Sequence, residues 1–167
     1  MDKVNIVTVT TCKGPGKQEA VGMWLIEYIN EKGTQTKQDF LYRESITANE
    51  LTLQLMANAV YLISKTDIEF ENVSVYMDCS NIASAFMNKW IDKWVENDWK
   101  KANGDEIANS TVWQQLYRIM DSCSKQFIVT DYRSRYTDWM NHEAETHIEV
   151  IRAKKELKNK LKGEEKC

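Results

Sequence analysis

Few side chains in this sequence have the type and spacing that chemistry needs. The two histidines, His142 and His147, are five residues apart. On a helix that spacing turns them roughly 140° from each other, so they do not close on one metal ion. The four cysteines, Cys12, Cys79, Cys123 and Cys167, include no Cys-x-x-Cys pair. That usage suits a reducing compartment, and the cytoplasm is the expected location. Cys12 and Cys79 approach each other if the strands they follow are neighbours, although a small buried hydrophobe is the commoner use of cysteine. The one concentrated charge is basic: residues 152–162 hold six Lys or Arg against one Glu, and Lys154, Lys155 and Lys158 belong to it. With the whole chain at −3, that leaves the remainder at −8. Such a tract reads as a solvated helix face or as a contact for a partner or nucleic acid. An acidic body is a poor surface for phosphates, because cation–phosphate contacts dominate nucleic-acid affinity.

The elements that must position these groups are legible from periodicity. With 167 residues and 43% hydrophobic content the chain should form one core. A single Pro and six Gly leave little room for linkers. No apolar run is long enough to cross a membrane, and MDKVNIV carries no secretory pattern. Residues 3–11 alternate and are β-branched, which predicts a strand. A turn follows at Cys12–Gly16, then strands over 19–29 and about 34–43, separated by Asn30–Gly33. Short connections make these three an antiparallel meander. Gly22 fits a close backbone approach. Thr47-Ala-Asn-Glu50 is a capping box for a helix reaching about Lys65. A fourth strand, 72–78, ends in Asp78, and short helices are expected over 81–97. A helix over 110–122, a strand over 126–130 and a long helix from near Trp139 complete the order. Val150, Ala153, Leu157 and Leu161 supply that last helix with an inner stripe. The result is a mixed five-stranded α/β sheet, three antiparallel strands then two parallel, flanked by helices with a right-handed crossover from strand four to strand five.

Four of the six tryptophans fall between Trp90 and Leu116. Trp90 and Trp94 share a helix face, Trp99 follows, and Trp113 opens an apolar face with Leu116 and Met120. The four are expected to bury one another. The run Trp90-Ile-x-x-Trp94-x-x-x-x-Trp99-Lys100, the following Ala102-Asn103, and Asn109 through Trp113-Gln114-x-Leu116 resemble the handle region of bacterial type I ribonuclease H. The resemblance implies the same α/β architecture over residues 1–150, with 151–167 an extension of the last helix and a charged tail.

Ribonuclease H cuts the RNA strand of RNA–DNA hybrids with two Mg²⁺ ions, which clamp the attacking and leaving oxygens. Mg²⁺ is a hard cation that takes carboxylate oxygens. The resemblance places four acids and a loop histidine, and each position can be read here. The first-strand Asp falls on Val9, three residues before Cys12, and the spacing forward to Gly22 supports that register. The helix Glu of Glu-Leu-Met-Ala falls on Gln54. The fourth-strand acid is kept as Asp78, the last-helix Asp becomes Glu145 in Asn141-x-x-x-Glu145, and the loop histidine falls near Arg135. One acid is kept, one is lengthened by a methylene and two are lost. Asp78 and Glu145 alone make a weak Mg²⁺ or Mn²⁺ site. Glu50, Asp131 and Asp138 are the nearby acids that could compensate, although Glu50 has the capping box to serve.

The hybrid-reading positions have changed too. The pair of Asn at the start of the long helix falls on Glu50 and Leu51, the polar residue after the strand-four acid is Ser80, and the Asn of the glycine-rich turn becomes Pro15. The handle, residues 88–106, holds four Lys, with Lys100 and Lys101 adjacent, against five acids. The expectation is a ribonuclease H-like domain without a working hydrolase centre or resident cofactor. It would bind a protein partner, or nucleic acid through another surface, with Lys100, Lys101 and Lys154, Lys155, Lys158 as the contact candidates and no membrane association. The alternative is an active Mg²⁺- or Mn²⁺-dependent ribonuclease H with a rearranged metal site.

Overall fold

The computed structural model describes residues 2–165. Cys167 and the end of the expected charged tail lie outside them. Five strands, β1 (Lys3–Thr10), β2 (Gln18–Asn30), β3 (Gly33–Ile46), β4 (Asn72–Met77) and β5 (Gln126–Thr130), form one sheet in the order β3-β2-β1-β4-β5. The first three pair antiparallel, and β4 joins β1 and β5 in parallel. The helices are α1 (Ala48–Ser64), α2 (Ser80–Met87), α3 (Trp90–Glu96), α4 (Ser110–Ser122) and α5 (Thr137–Glu165). This is the mixed architecture the sequence implied. β3 extends further than its expected end at 43, because its partner β2 offers hydrogen bonds as far as Gln18.

Alternation in β1 explains the layers. Val4 and Ile6 enter one core with α1, α2 and α4, while Val7 and Val9 enter a second core with α5. Helix α1 starts where expected: the Thr47 hydroxyl accepts from the Glu50 amide at 3.2 Å. It crosses β2 so closely that a Cβ on Gly22 would lie 2.6 Å from Leu55 Cδ1. That close approach is the packing reason for a glycine inside a strand.

The aromatic handle is built as expected except at one position. Trp113 is 3% exposed, and its ring meets Trp94 edge-on with centroids 5.3 Å apart. Trp99 packs against Trp94 at 6.3 Å and Tyr117 at 5.8 Å. The chain reverses into this cluster through Asp98 and Trp99, both at positive φ, and the Trp99 amide donates to the Trp94 carbonyl at 2.6 Å. Trp90, expected inside, is 41% exposed. Lys89 enters α3 in the left-handed conformation, and this seven-residue helix turns its first tryptophan outward.

Helix α5 corrects a second expectation. Its inner face is Met140, Ala144 and Ile148, with Ile151 partly buried. Val150, Leu157 and Leu161, expected on that face, are 46%, 60% and 52% exposed. Both rows have helical spacing, and contact with the sheet selects the first. Two carboxylates on β2 fix the helix. Near its start, buried Glu27 accepts from Asn5 at 2.8 Å and bonds Arg135 and Tyr136. Burial is the strongest single influence on Glu27 and pulls its pKa upward, yet the Tyr136, Asn5 and Arg135 bonds together outweigh it and hold the carboxyl below the ordinary range. Farther along, Glu19 bonds the Tyr42 hydroxyl at 2.6 Å, Arg152 at 2.8 Å and Lys155 at 3.1 Å. These bonds, Tyr42's first, lower its pKa to about 2.

Two outcomes follow from this packing. Trp113→Ala should lose about 3–5 kcal/mol in urea unfolding, whereas Trp90→Ala should change stability little. Glu19 is more acidic folded than unfolded, so its stabilisation is complete above the usual carboxylate range and disappears as pH falls toward about 2. Glu19→Gln should remove that part of the acid-induced loss of structure, measured by circular dichroism across the window.

Candidate functional site

The parallel register pairs Thr8 with Met77, so the next residues, Val9 and Asp78, end adjacent strands at the same edge. Ligands of open α/β sheets bind outside such carboxyl ends. A cleft of about 640 Å³ opens there. Its walls are the turn after β1 with Cys12 and Pro15, the start of α1 with Thr47 and Asn49, the start of α2 with Ser80 and Asn81, and Asn109 ahead of α4. Asn109 adopts φ 60°, a left-handed conformation that asparagine tolerates well. Asn49, Asn81 and Asn109 are shared with an adjoining groove of about 330 Å³ that includes Trp90, Trp94 and Lys101. The two adjoin through these asparagines: the cleft at Asp78 is polar, and the groove that reaches Trp90 is mostly apolar, with Ile82, Trp94 and Ile107 in its lining.

Of the expected site residues, Asp78 alone lines the cleft. Its carboxylate is open to solvent, and the protein around it still desolvates it enough to raise its pKa against its own backbone amide and the distant charge of Arg133. Val9 is 0% exposed, packed in the α5-side core with Val7, Met23, Met140 and Ala144. Gln54 points the other way, accepting from Arg43 Nε of β3 at 3.0 Å, two strands removed from β4. Glu145 is half-exposed and pairs with Lys13 at 3.2 Å. Arg135 is held by Glu27 and Tyr136. Asp138 pairs with Arg133, and the Thr47 cap holds the backbone of Glu50.

The residues present do not fit the two-ion centre the resemblance implies. Among the described residues no three His, Cys, Asp or Glu side chains gather closely enough to hold a metal ion. A hard cation needs several oxygen ligands in one place, and here a single carboxylate is surrounded by amides, hydroxyls and two thiols. Cys12 and Cys79 do line the same cleft, as strand adjacency suggested. Burial pushes the Cys12 thiol up, and Cys79 donates to Asn49 Oδ1 at 3.1 Å. Cys12 is therefore poorly set up as a thiolate.

The sequence reading missed Asn49. It assigned the hybrid-reading positions to Glu50 and Leu51, but Leu51 is fully buried, and Ala48 with Asn49 front the cleft. The signal was present in the cap: the first residues after Thr47 must face outward before the inner stripe begins. Of the basic candidates, Lys101 lines the groove, while Lys100 is exposed beside the Lys100–Glu106 bridge. Lys154 and Lys158 are exposed, whereas Lys155 is engaged by Glu19 and Tyr42. Among the described residues no helix is long and apolar enough to cross a membrane.

Comparison with known proteins gives one family. A family model described as RNase H matches residues 2–132. A ribonuclease H of Clostridium botulinum is 26% identical over 129 residues, covering 77% of this chain and 82% of the relative. One from Acetivibrio thermocellus is 29% identical over 119 residues, covering 71% and 75%. Among solved structures, LC9-RNase H1, described as a type 1 RNase H with the type 2 active-site motif, superposes with a TM-score of 0.68 at 20% identity, covering 86% of this chain and 70% of that one. LC11-RNase H1 in complex with RNA/DNA hybrid gives 0.56 at 16% identity, covering 85% and 96%. At those identities the structures speak for the fold.

Val9→Asp tests the metal fit. It buries a carboxylate against Met140 and Ala144 beside Asp78, and should destabilise the chelated protein by several kcal/mol, on the order of the cost of an unpaired buried charge. If the position can still face a metal, Mn²⁺ should restore the melting temperature of Val9→Asp while leaving the parent unchanged. Failure of Mn²⁺ to restore it would place the side chain in the core in every state.

Proposed function

The chain belongs to the RNase H family, and from that premise we propose that it is a ribonuclease H-like module that holds RNA–DNA hybrid in its cleft without hydrolysing it. The carrying observation is the make-up of the cleft. Its hydrogen-bonding strip of Thr47, Asn49, Ser80, Asn81 and Asn109 adjoins a mostly apolar groove that holds Trp90, whereas one carboxylate, Asp78, stands in the cleft where several would be needed. Amides and hydroxyls can meet sugar hydroxyls and base edges, and an exposed indole offers a stacking face. LC11-RNase H1, of the same fold, is described in complex with RNA/DNA hybrid. That is the ligand class the strip suits.

Hydrolysis requires an activated water and a charged clamp on the phosphate. Val9 contributes only packing, Gln54 is turned to β3, and Lys13 partly neutralises Glu145. The acidic body tempers the grip. Lys101 is the one cation lining the groove and Lys13 flanks the cleft, so few counterions are released on binding and the salt slope should be shallow.

The test is a fluorescence-anisotropy titration of the intact protein with an RNA–DNA hybrid in Mg²⁺ and in Mn²⁺, with cleavage followed on a gel. Saturable binding without cleavage is expected. Trp90→Ala should weaken it by about 1–3 kcal/mol, the typical worth of a base–aromatic stack. Asn49→Asp, which sets a carboxylate against phosphate, should weaken it further. Robust cleavage that vanishes in Asp78→Asn would overturn the reading and establish a rearranged active centre.

A further inference from the structure

The outward face of α5 has no partner within the fold. Trp139, Val150, Leu157 and Leu161 are all more than two-fifths exposed. Their spacings of 11, 7 and 4 residues place them within about 40° of one another on a helix. The inner row of Met140, Ala144 and Ile148 lies roughly 120° away, so these are two separate faces. From Arg152 to Glu164 every residue is exposed. A helix end of this length is marginal in water without tertiary support, and it carries two leucines open to solvent.

Charge indicates what covers it. Arg152 and Lys155 turn back to Glu19, leaving Lys154 and Lys158 along one border of the row, while the other border is mixed, with Lys160 beside Glu149 and Glu156. Two copies packed along this row would bring together two tracts in which Lys154, Lys158, Lys160 and Lys162 stand against Glu156 alone, a repulsive arrangement. Phosphates would meet the lysines but leave Val150, Leu157 and Leu161 uncovered. An apolar seam with a basic border at Lys154 and Lys158 matches an amphipathic helix with an acidic flank on that side, which buries the leucines and pairs with those lysines at once.

The geometry points to the Val150–Leu161 face of α5 as a docking surface for an acidic amphipathic helix of a protein partner. It lies on the opposite side of α5 from the sheet and works independently of what the cleft holds.

The probe is a synthetic peptide of about four heptads with Leu at the seam and Glu along the flank that meets Lys154 and Lys158, titrated into the intact protein by calorimetry. Equimolar, saturable binding that weakens with salt is expected, falling at least about tenfold in Leu157→Ser/Leu161→Ser and in Lys154→Glu/Lys158→Glu. These are surface changes, so unaltered melting temperature and hybrid binding should show that fold and cleft are intact. Four results would overturn the assignment. A scrambled peptide of the same composition could bind equally well. The serine variant could bind the peptide like the parent. Sedimentation could show a dimer abolished by the serine variant, making a second copy the occupant. Lastly, phosphatidylserine vesicles or the hybrid could be held through Lys154 and Lys158 more tightly than the peptide.

Discussion

The structure depends on β1 being buried on both faces and bonded on both edges. Val4 and Ile6 lie under α1, Val7 and Val9 lie under α5, and the strand pairs with β2 on one side and β4 on the other. No residue of such a strand is free to change its neighbours without disturbing two cores. Because β1 and β4 run parallel, their carboxyl ends reach the same edge, and the loops that follow must open a cleft there. Its position follows from topology; its chemistry depends on which side chains the surrounding turns present.

Much of this was legible in the sequence because the signals were local. Alternation set the strands, Asn30–Gly33 set the hairpin, Thr47 set the helix start, and Asp78 stood at a strand end. What escaped depended on orientation. Trp90 and Trp94 share a helical spacing, but the left-handed Lys89 and the brevity of α3 leave one outside. On α5 two apolar rows have valid spacing, and only the sheet discriminates between them. Gln54 occupies a position that matches the family motif in letters, yet its contact with Arg43 shows it facing the β3 edge. A motif match fixes neither the turn of a helix nor the direction of a side chain.

Electrostatics explains why α5 lies as it does. Glu27 and Glu19 are eight residues apart on β2, about 27 Å along a strand, and face the same way. Their partners on the helical side, Tyr136 and Arg152, are sixteen residues apart, about 24 Å along a helix. The near match lets one strand hold the helix at two points while Met140, Ala144 and Ile148 fill the space between. Beyond Lys155 that support ends, and the helix continues on its own propensity and the Glu156–Lys160 spacing of four.

The two halves of the cleft obey different energetics, and this bears on how a binding surface can outlast a catalytic one. An acid at the position of Val9 would sit beside Asp78 with like charge and a desolvation cost, tolerable mainly when a cation is shared between them. A valine there joins the α5-side core and contributes roughly 1.5–3 kcal/mol by burial. A valine at this position is therefore more stabilising than an acid in the absence of metal, in line with the usual conflict between stability and an active centre. The polar strip faces no such pressure. Thr47 caps the Glu50 amide, Asn49 accepts from Cys79, and Asn81 and Asn109 stand at helix starts beside the open cleft, so keeping them costs the fold little. On the proposed reading, relaxation of the hydrolytic requirement would drive the buried half of the site toward core and leave the wet half as it was. That is the division between Val9 and Asn49.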